Sequence, residues 1–143
     1  MENIRYTRII DLKPNMELIN ITARVIEIKP LRKIQTSKGI RTLSEAIIGD
    51  ESGRIKAVLW GKHAGNLNEG DAIRINNAWT TTFRGELQLN IGSKSTINKI
   101  EDSEAPNIES IPNQYPKAEE EKYRSGFKGK RGSFRNRRTQ SYR

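Results

Sequence analysis

Residues 43–61 read LSEAIIGDESGRIKAVLWG, two apolar runs around the turn Asp50-Glu51-Ser52-Gly53, and this stretch decides the fold. A short connection rich in Asp, Ser and Gly between two such runs signals a β-hairpin, with Gly53 available for a positive φ. In the second run Ile55, Ala57 and Leu59 share one parity. That leaves Lys56, Val58 and Trp60 on the opposite face of the strand.

The flanking segments repeat the pattern. Residues 17–28, ELINITARVIEI, place Ile19, Ile21, Ala23 and Val25 on one parity and then switch to Ile26 and Ile28. A parity switch inside a strand implies a bulge, as where a long strand bends to serve two sheets. Residues 29–42, KPLRKIQTSKGIRT, read as a polar loop, and residues 62–70, KHAGNLNEG, as a connector with room for one helical turn. Then come a strand over 71–83, DAIRINNAWTTTF, a turn at Arg84-Gly85, and 86–92, ELQLNIG, in which Leu87, Leu89 and Ile91 alternate. Five strands with a bent first member and a connector between the third and fourth predict an all-β fold, a five-stranded Greek-key barrel of the OB type.

Composition divides the 143 residues into three regions. Residues 1–100 hold 16 Lys+Arg against 10 Asp+Glu, residues 101–121 hold 1 against 7, and residues 122–143 hold 9 against none. The expected organisation is a folded domain over 1–105, an acidic, proline-containing linker over 106–121, and a disordered basic tail of Arg, Gly and single aromatics over 122–143. The block EDSEAPNIESIPNQYPKAEEE (101–121) has few large apolar residues with which to offset its ordering entropy. A net charge of +9 points to a polyanionic partner. With no run of the roughly 18 apolar residues a membrane span requires, and no signal-peptide pattern at the N-terminus, a cytoplasmic protein is expected. The sequence contains no cysteine, which excludes disulfides, thiolate catalysis and Cys-ligated zinc.

Aromatic residues make up 6% of the chain, yet Trp60, Trp79 and Phe83 fall at the ends of strand-like runs, among Lys, Arg, Thr and Asn. Flat rings in a basic setting suit the stacking of unpaired bases. For Trp60 the opposite strand face is apolar, so an outward ring is expected. Trp79 and Phe83 share parity with Ile73 and Ile75, which are expected in the core. Simple alternation would bury them; exposure needs a register break, for which Asn76-Asn77 is the natural place. Candidate phosphate contacts are Arg32, Lys33, Lys38 and Arg41 in the 29–42 segment, with Lys56, Lys62 and Arg84 near the aromatics. His63 is the single histidine and no acidic cluster has two-metal spacing, so no catalytic residue, metal or cofactor is expected. No GxGxxG or GxxxxGK[ST] spacing occurs, and the glycines read as turn residues.

The strings LKPNMELINITARV, RTLSEAIIGDESGRIKAVLWGKHAG and NAWTTTFRGELQLNIGSK resemble the single-stranded-DNA-binding proteins of the Sulfolobales and related crenarchaea, over residues 12 to about 100. The resemblance implies one OB fold that binds single strands in replication, repair and recombination, with stacking aromatics at Trp60, Trp79 and Phe83. It also implies a flexible tail that contacts other replication or repair proteins. The ending NRRTQSYR departs from relatives that close on an acidic tip, so recruitment through such a tip is not implied. A monomer is favoured. Two other functions fit the same residues: an RNA-binding module or RNA chaperone, and a protein-interaction OB domain whose basic tail carries the ligand.

Overall fold

The computed structural model describes residues 5–118. It contains seven strands: β1 (Ile19–Ile28), β2 (Arg32–Thr36), β3 (Gly39–Asp50), β4 (Gly53–Trp60), β5 (Ala72–Phe83), β6 (Glu86–Ile91) and β7 (Thr96–Lys99). The five long strands pair in a closed circuit: β1 with β3, β3 with β4, β4 with β6, β6 with β5, and β5 back with β1. All these pairings are antiparallel except β4–β6, which is parallel. This is the OB arrangement expected from the sequence. Its interior is filled by Ile21, Val25, Ile48, Ile55, Leu59, Ile73, Ile75, Leu89 and Ile91, all fully buried, and Ile9 and Leu12 of the N-terminal segment close one end.

Both expected register breaks are present. In β1 the pairing with β3 passes from Val25↔Ile48 to Glu27↔Ile47, so Ile26 is the extra residue. In β5 the pairing with β1 passes from Ile21↔Ile75 to Ile19↔Ala78, and Asn77 there has a φ of 63°. Burial changes parity across this second bulge, from Ile73 and Ile75 to Ala78 and Thr80. The turn after β5 uses left-handed backbone at Arg84 (φ 53°) and Gly85 (φ 80°), the conformation a two-residue hairpin loop favours.

Four features differ from the sequence reading. Residues 29–42 are not a loop: β2 and the first part of β3 form a hairpin paired from Arg32↔Leu43 to Thr36↔Gly39, and the Thr36 hydroxyl bonds across its tip to the Gly39 carbonyl at 2.7 Å. The polar residues there hid a strand pair that is solvated on most of its surface. Also unexpected is β7, which adds to the edge of β5. Gly53, in turn, does not have a positive φ. A Cβ on Gly53 would lie 2.6 Å from the Gln114 carbonyl oxygen, so close approach of another segment explains the glycine.

That other segment lies within the stretch read as a linker. Residues 101–118 dock on the domain as a strap held chiefly by backbone carbonyls bonded to two arginines. Arg24, 4% exposed, donates to the carbonyls of Gly70, Asp102, Ala105 and Pro106 and to the Asp102 carboxylate. Arg54 donates to the carbonyls of Ile111 and Pro112, the strap's Gln114 side chain donates to the Ser52 carbonyl, and the Gln114 carbonyl accepts the Arg54 N–H. The apolar share is small: Ala105, Ile111 and Pro116 are buried, and Ile111 sits against Gly49, where a Cβ would be 2.7 Å away. Hydropathy missed the strap because polar bonds replace the apolar area it lacks. The expected tail over 122–143 lies outside the described residues.

Arg24→Ala should lower stability by about 3 kcal/mol, since it strands the buried Ala105 carbonyl and three part-buried ones that the arginine now satisfies. Urea unfolding should show a lower midpoint, and an unchanged midpoint would mean that the strap contributes no stability through Arg24.

Candidate nucleic-acid interface

The outward faces of five strands form a groove of about 700 Å³. It is lined by Arg32 and Ile34 of β2, Arg41, Leu43 and Glu45 of β3, Val58 and Trp60 of β4, Trp79 to Phe83 of β5 apart from the inward-facing Thr80, and Gln88 and Asn90 of β6, with Gly92 and Ser93 beyond. All three sequence-nominated aromatics are therefore in one concave surface. The β5 bulge accounts for this directly: without the extra residue, the parity of Ile73 and Ile75 would carry Trp79 inward.

Each ring is held by a different device. The Trp60 indole N–H donates to Asn90 Oδ1 at 3.0 Å, and Asn90 in turn donates to the Thr81 hydroxyl at 2.9 Å, a chain that fixes the ring's rotation. The Arg41 guanidinium lies over Trp60, 4.7 Å from the ring centroid. Trp79 lies across the end of β6, where a Cβ on Gly92 would be 2.6 Å from Cη2 of the indole. Phe83 is 55% exposed at the hairpin tip, with the Arg84 guanidinium 5.1 Å from its ring. Ser95 supports the bed of Trp79. Its hydroxyl accepts the Gly92 N–H at 3.0 Å and donates to the Asn77 carbonyl at 2.7 Å, tying the β6–β7 loop to the β5 bulge.

Of the basic candidates, Arg32 and Arg41 line the groove with the rings. Arg32 also pairs with Glu45 at 3.2 Å. Arg84 reaches the groove's rim through its contact with Phe83. Lys33 and Lys38 lie exposed on the β2–β3 hairpin, and Lys62 on the turn after β4; none of the three lines the groove. Lys56 is elsewhere: it pairs with Glu86 at 3.5 Å and borders a separate hollow beside the strap residues Tyr115 and Pro116. Sequence reasoning did not single out Asn90 and Gly92. Asn90 had a legible signal, because it opposes the parity of Leu89 and Ile91 and so must face outward; Gly92 had none.

His63 is buried, with Nε2 3.0 Å from the Ser95 carbonyl it serves as donor, a structural use of the ring. Asp50 is spent likewise, accepting from the Ile9 and Ser52 N–H groups and from the Ser52 hydroxyl. Among the described residues no group of three or more His, Cys, Asp or Glu side chains is placed to hold a metal ion.

A closed β-circuit of OB topology that carries aromatic rings and arginines in an outer-face groove defines the oligonucleotide- and oligosaccharide-binding class of folds. Within that class the chain belongs to the family of single-stranded DNA binding proteins, Ssb-like, OB fold, whose pattern matches residues 12–99. It is 50% identical over 125 residues to the single-stranded DNA binding protein Ssb of Saccharolobus solfataricus, a match covering 87% of this chain and 84% of that one. Among solved structures, it resembles the replication factor A related protein of Methanobacterium thermoautotrophicum, with a TM-score of 0.58, 30% identity, and coverage of 67% of this chain and 91% of that one. Fission yeast Pot1, solved with single-stranded DNA, matches with a TM-score of 0.58 over 74% of this chain and 42% of its own; at 16% identity that likeness is one of fold.

Gly92→Ala should displace the Trp79 ring while leaving the barrel folded, because the added methyl meets only the indole. Tryptophan fluorescence should report a changed environment at an unchanged far-UV circular dichroism spectrum. An unaltered emission spectrum would mean that Gly92 does not set the ring.

Proposed function

We propose that this protein binds single-stranded DNA with little sequence preference and covers exposed strands during replication, repair and recombination in the cytoplasm. The observation that carries the reading is the convergence of Trp60, Trp79 and Phe83 with Arg32 and Arg41 in one groove. Stacking on a ring is open to every base, and contributes about 1–3 kcal/mol per base. Guanidinium contacts with phosphates add a part that weakens with salt as counterions are released. Paired bases hide their faces within the duplex, so the same groove discriminates against double strands. The family relationship supports this reading, the Saccharolobus relative being named for single-stranded DNA binding.

The cations over the rings have a second role in this scheme. Arg41 covers Trp60, and Arg84 lies beside Phe83. A base stacking on either ring displaces the guanidinium sideways, toward the phosphates that flank that base. The positive charge and the platform therefore act on the same nucleotide.

The described fold extends through the strap to residue 118, and the sequence goes on through three glutamates to a basic extension over 122–143. That extension brings 9 positive charges and no negative ones over residues 122–143, with Tyr123, Phe127, Phe134 and Tyr142 between them. Its composition fits phosphate contact without fixed geometry, and contact with replication or repair proteins.

Trp60→Ala and Trp79→Ala should each weaken binding of a short oligonucleotide by about 1–3 kcal/mol without unfolding the protein, and Phe83→Ala by less, since its ring is smaller. Fluorescence titrations with oligothymidine check this; a variant that binds as well as the parent removes that ring from the site. Comparing the full chain with one ending at residue 118 on a long strand should show a steeper loss of affinity with salt for the full chain. Parallel log–log slopes would show that the extension does not touch DNA.

A further inference from the structure

Trp79 is a wall shared by two hollows. Beyond the groove lies a second depression of about 380 Å³, bordered by Glu17, Leu18, Asn77, Trp79, Ser93 and Lys94. Trp79 and Ser93 line both, so the depression continues the groove at its β6–β7 end. Leu18 is 74% exposed, the highest value among the large hydrophobic side chains described. A single exposed leucine is ordinary. This one also has a φ of 57°, left-handed backbone that a bulky side chain rarely adopts. Such strain tends to persist where the surroundings hold a residue in place for a purpose.

The opposite rim is fixed as well. Asn77 Nδ2 donates to the Lys94 carbonyl at 3.1 Å, and the Asn77 N–H donates to Asn20 Oδ1 at 3.1 Å. The backbone of Lys94 is thus tied to the β5 bulge. Its exposed ammonium group forms no ion pair among the described residues. Glu17 is the one negative charge among the residues bordering the depression, and its repulsion works against a phosphate that Lys94 would attract.

We propose that this depression is an additional nucleotide subsite: a single strand leaving the groove passes the edge of Trp79, lays one base against Leu18 and sets the adjoining phosphate at Lys94. The proposal rests on the single-strand reading of the groove. Continuity through the Trp79 wall favours an extended strand over a protein partner, because the strand stacked on the indole is delivered to this hollow by its own backbone.

The test uses the full chain and oligothymidines of increasing length through the range of about 4–16 nucleotides that OB folds cover. Leu18→Asn removes the apolar contact with a residue that tolerates left-handed backbone, so it should fold at least as well as the parent. Lys94→Gln removes the charge. Each should weaken binding about fivefold for strands long enough to enter the depression and leave the shortest binding strands unaffected. Lys94→Gln should also reduce the log–log salt slope on long strands by about 0.7. Unchanged affinity at every length, or an equal loss at every length, overturns the subsite. If those results accompany normal weakening by Trp60→Ala and Trp79→Ala, the groove stands and only the extension falls. If the parent chain fails to bind any single strand, both fall together, and the depression would be a candidate for a protein partner instead.

Discussion

One extra residue in β5 divides the protein into core and site. Before the bulge at Asn76-Asn77, alternate residues of the strand point into the barrel; after it, the same alternation carries Trp79 and Phe83 outward. The bulge is over-determined. Asn20 accepts from both the Asn76 side chain and the Asn77 N–H, Ser95 donates to the Asn77 carbonyl, and Asn77 itself reaches Lys94. Left-handed backbone at a non-glycine residue is held by bonds from β1 and from the β6–β7 loop, so a slip of register would break them together.

Because the bulge and the loop are bonded through Ser95, the bed of Trp79 is set by the same contacts that orient its strand. Gly92 leaves space for the indole, and Asn90, one turn of alternation earlier, holds Trp60. Two platforms on two different strands are in this way referenced to β6. Rings held at fixed spacing have little rotational freedom left to lose, which is the property the proposed base stacking would draw on.

The strap works on another principle. A segment with little apolar area is kept in place by two arginines, the buried Arg24, which bonds the carbonyls of Asp102, Ala105 and Pro106, and the half-buried Arg54, which bonds those of Ile111 and Pro112. Its last described residues stand beside Lys56 and Leu87, and no residue of the strap lines the groove.

Much of this was legible in the chain. Alternation marked the five long strands, the parity switch at Ile26 marked the first bulge, Asn76-Asn77 offered the place for a second that exposed rings would need, and scarcity made the tryptophans conspicuous, because these are local properties of neighbouring residues. The β2–β3 hairpin, β7, the true reason for Gly53 and the docked strap were not legible, since each depends on a partner distant in sequence: a solvated hairpin lacks an apolar face, and an arginine buried by carbonyls looks like any surface arginine. The same limit governs the site. Residue type nominated Trp60, Trp79 and Phe83, and parity turned Trp60 outward while setting Trp79 and Phe83 inward, but only tertiary structure brought Arg32 and Arg41 to the rings, left Lys56 outside the groove and made Gly92 the bed of Trp79. Parity is a one-strand property, whereas the distance between two strands is set by how the whole barrel closes.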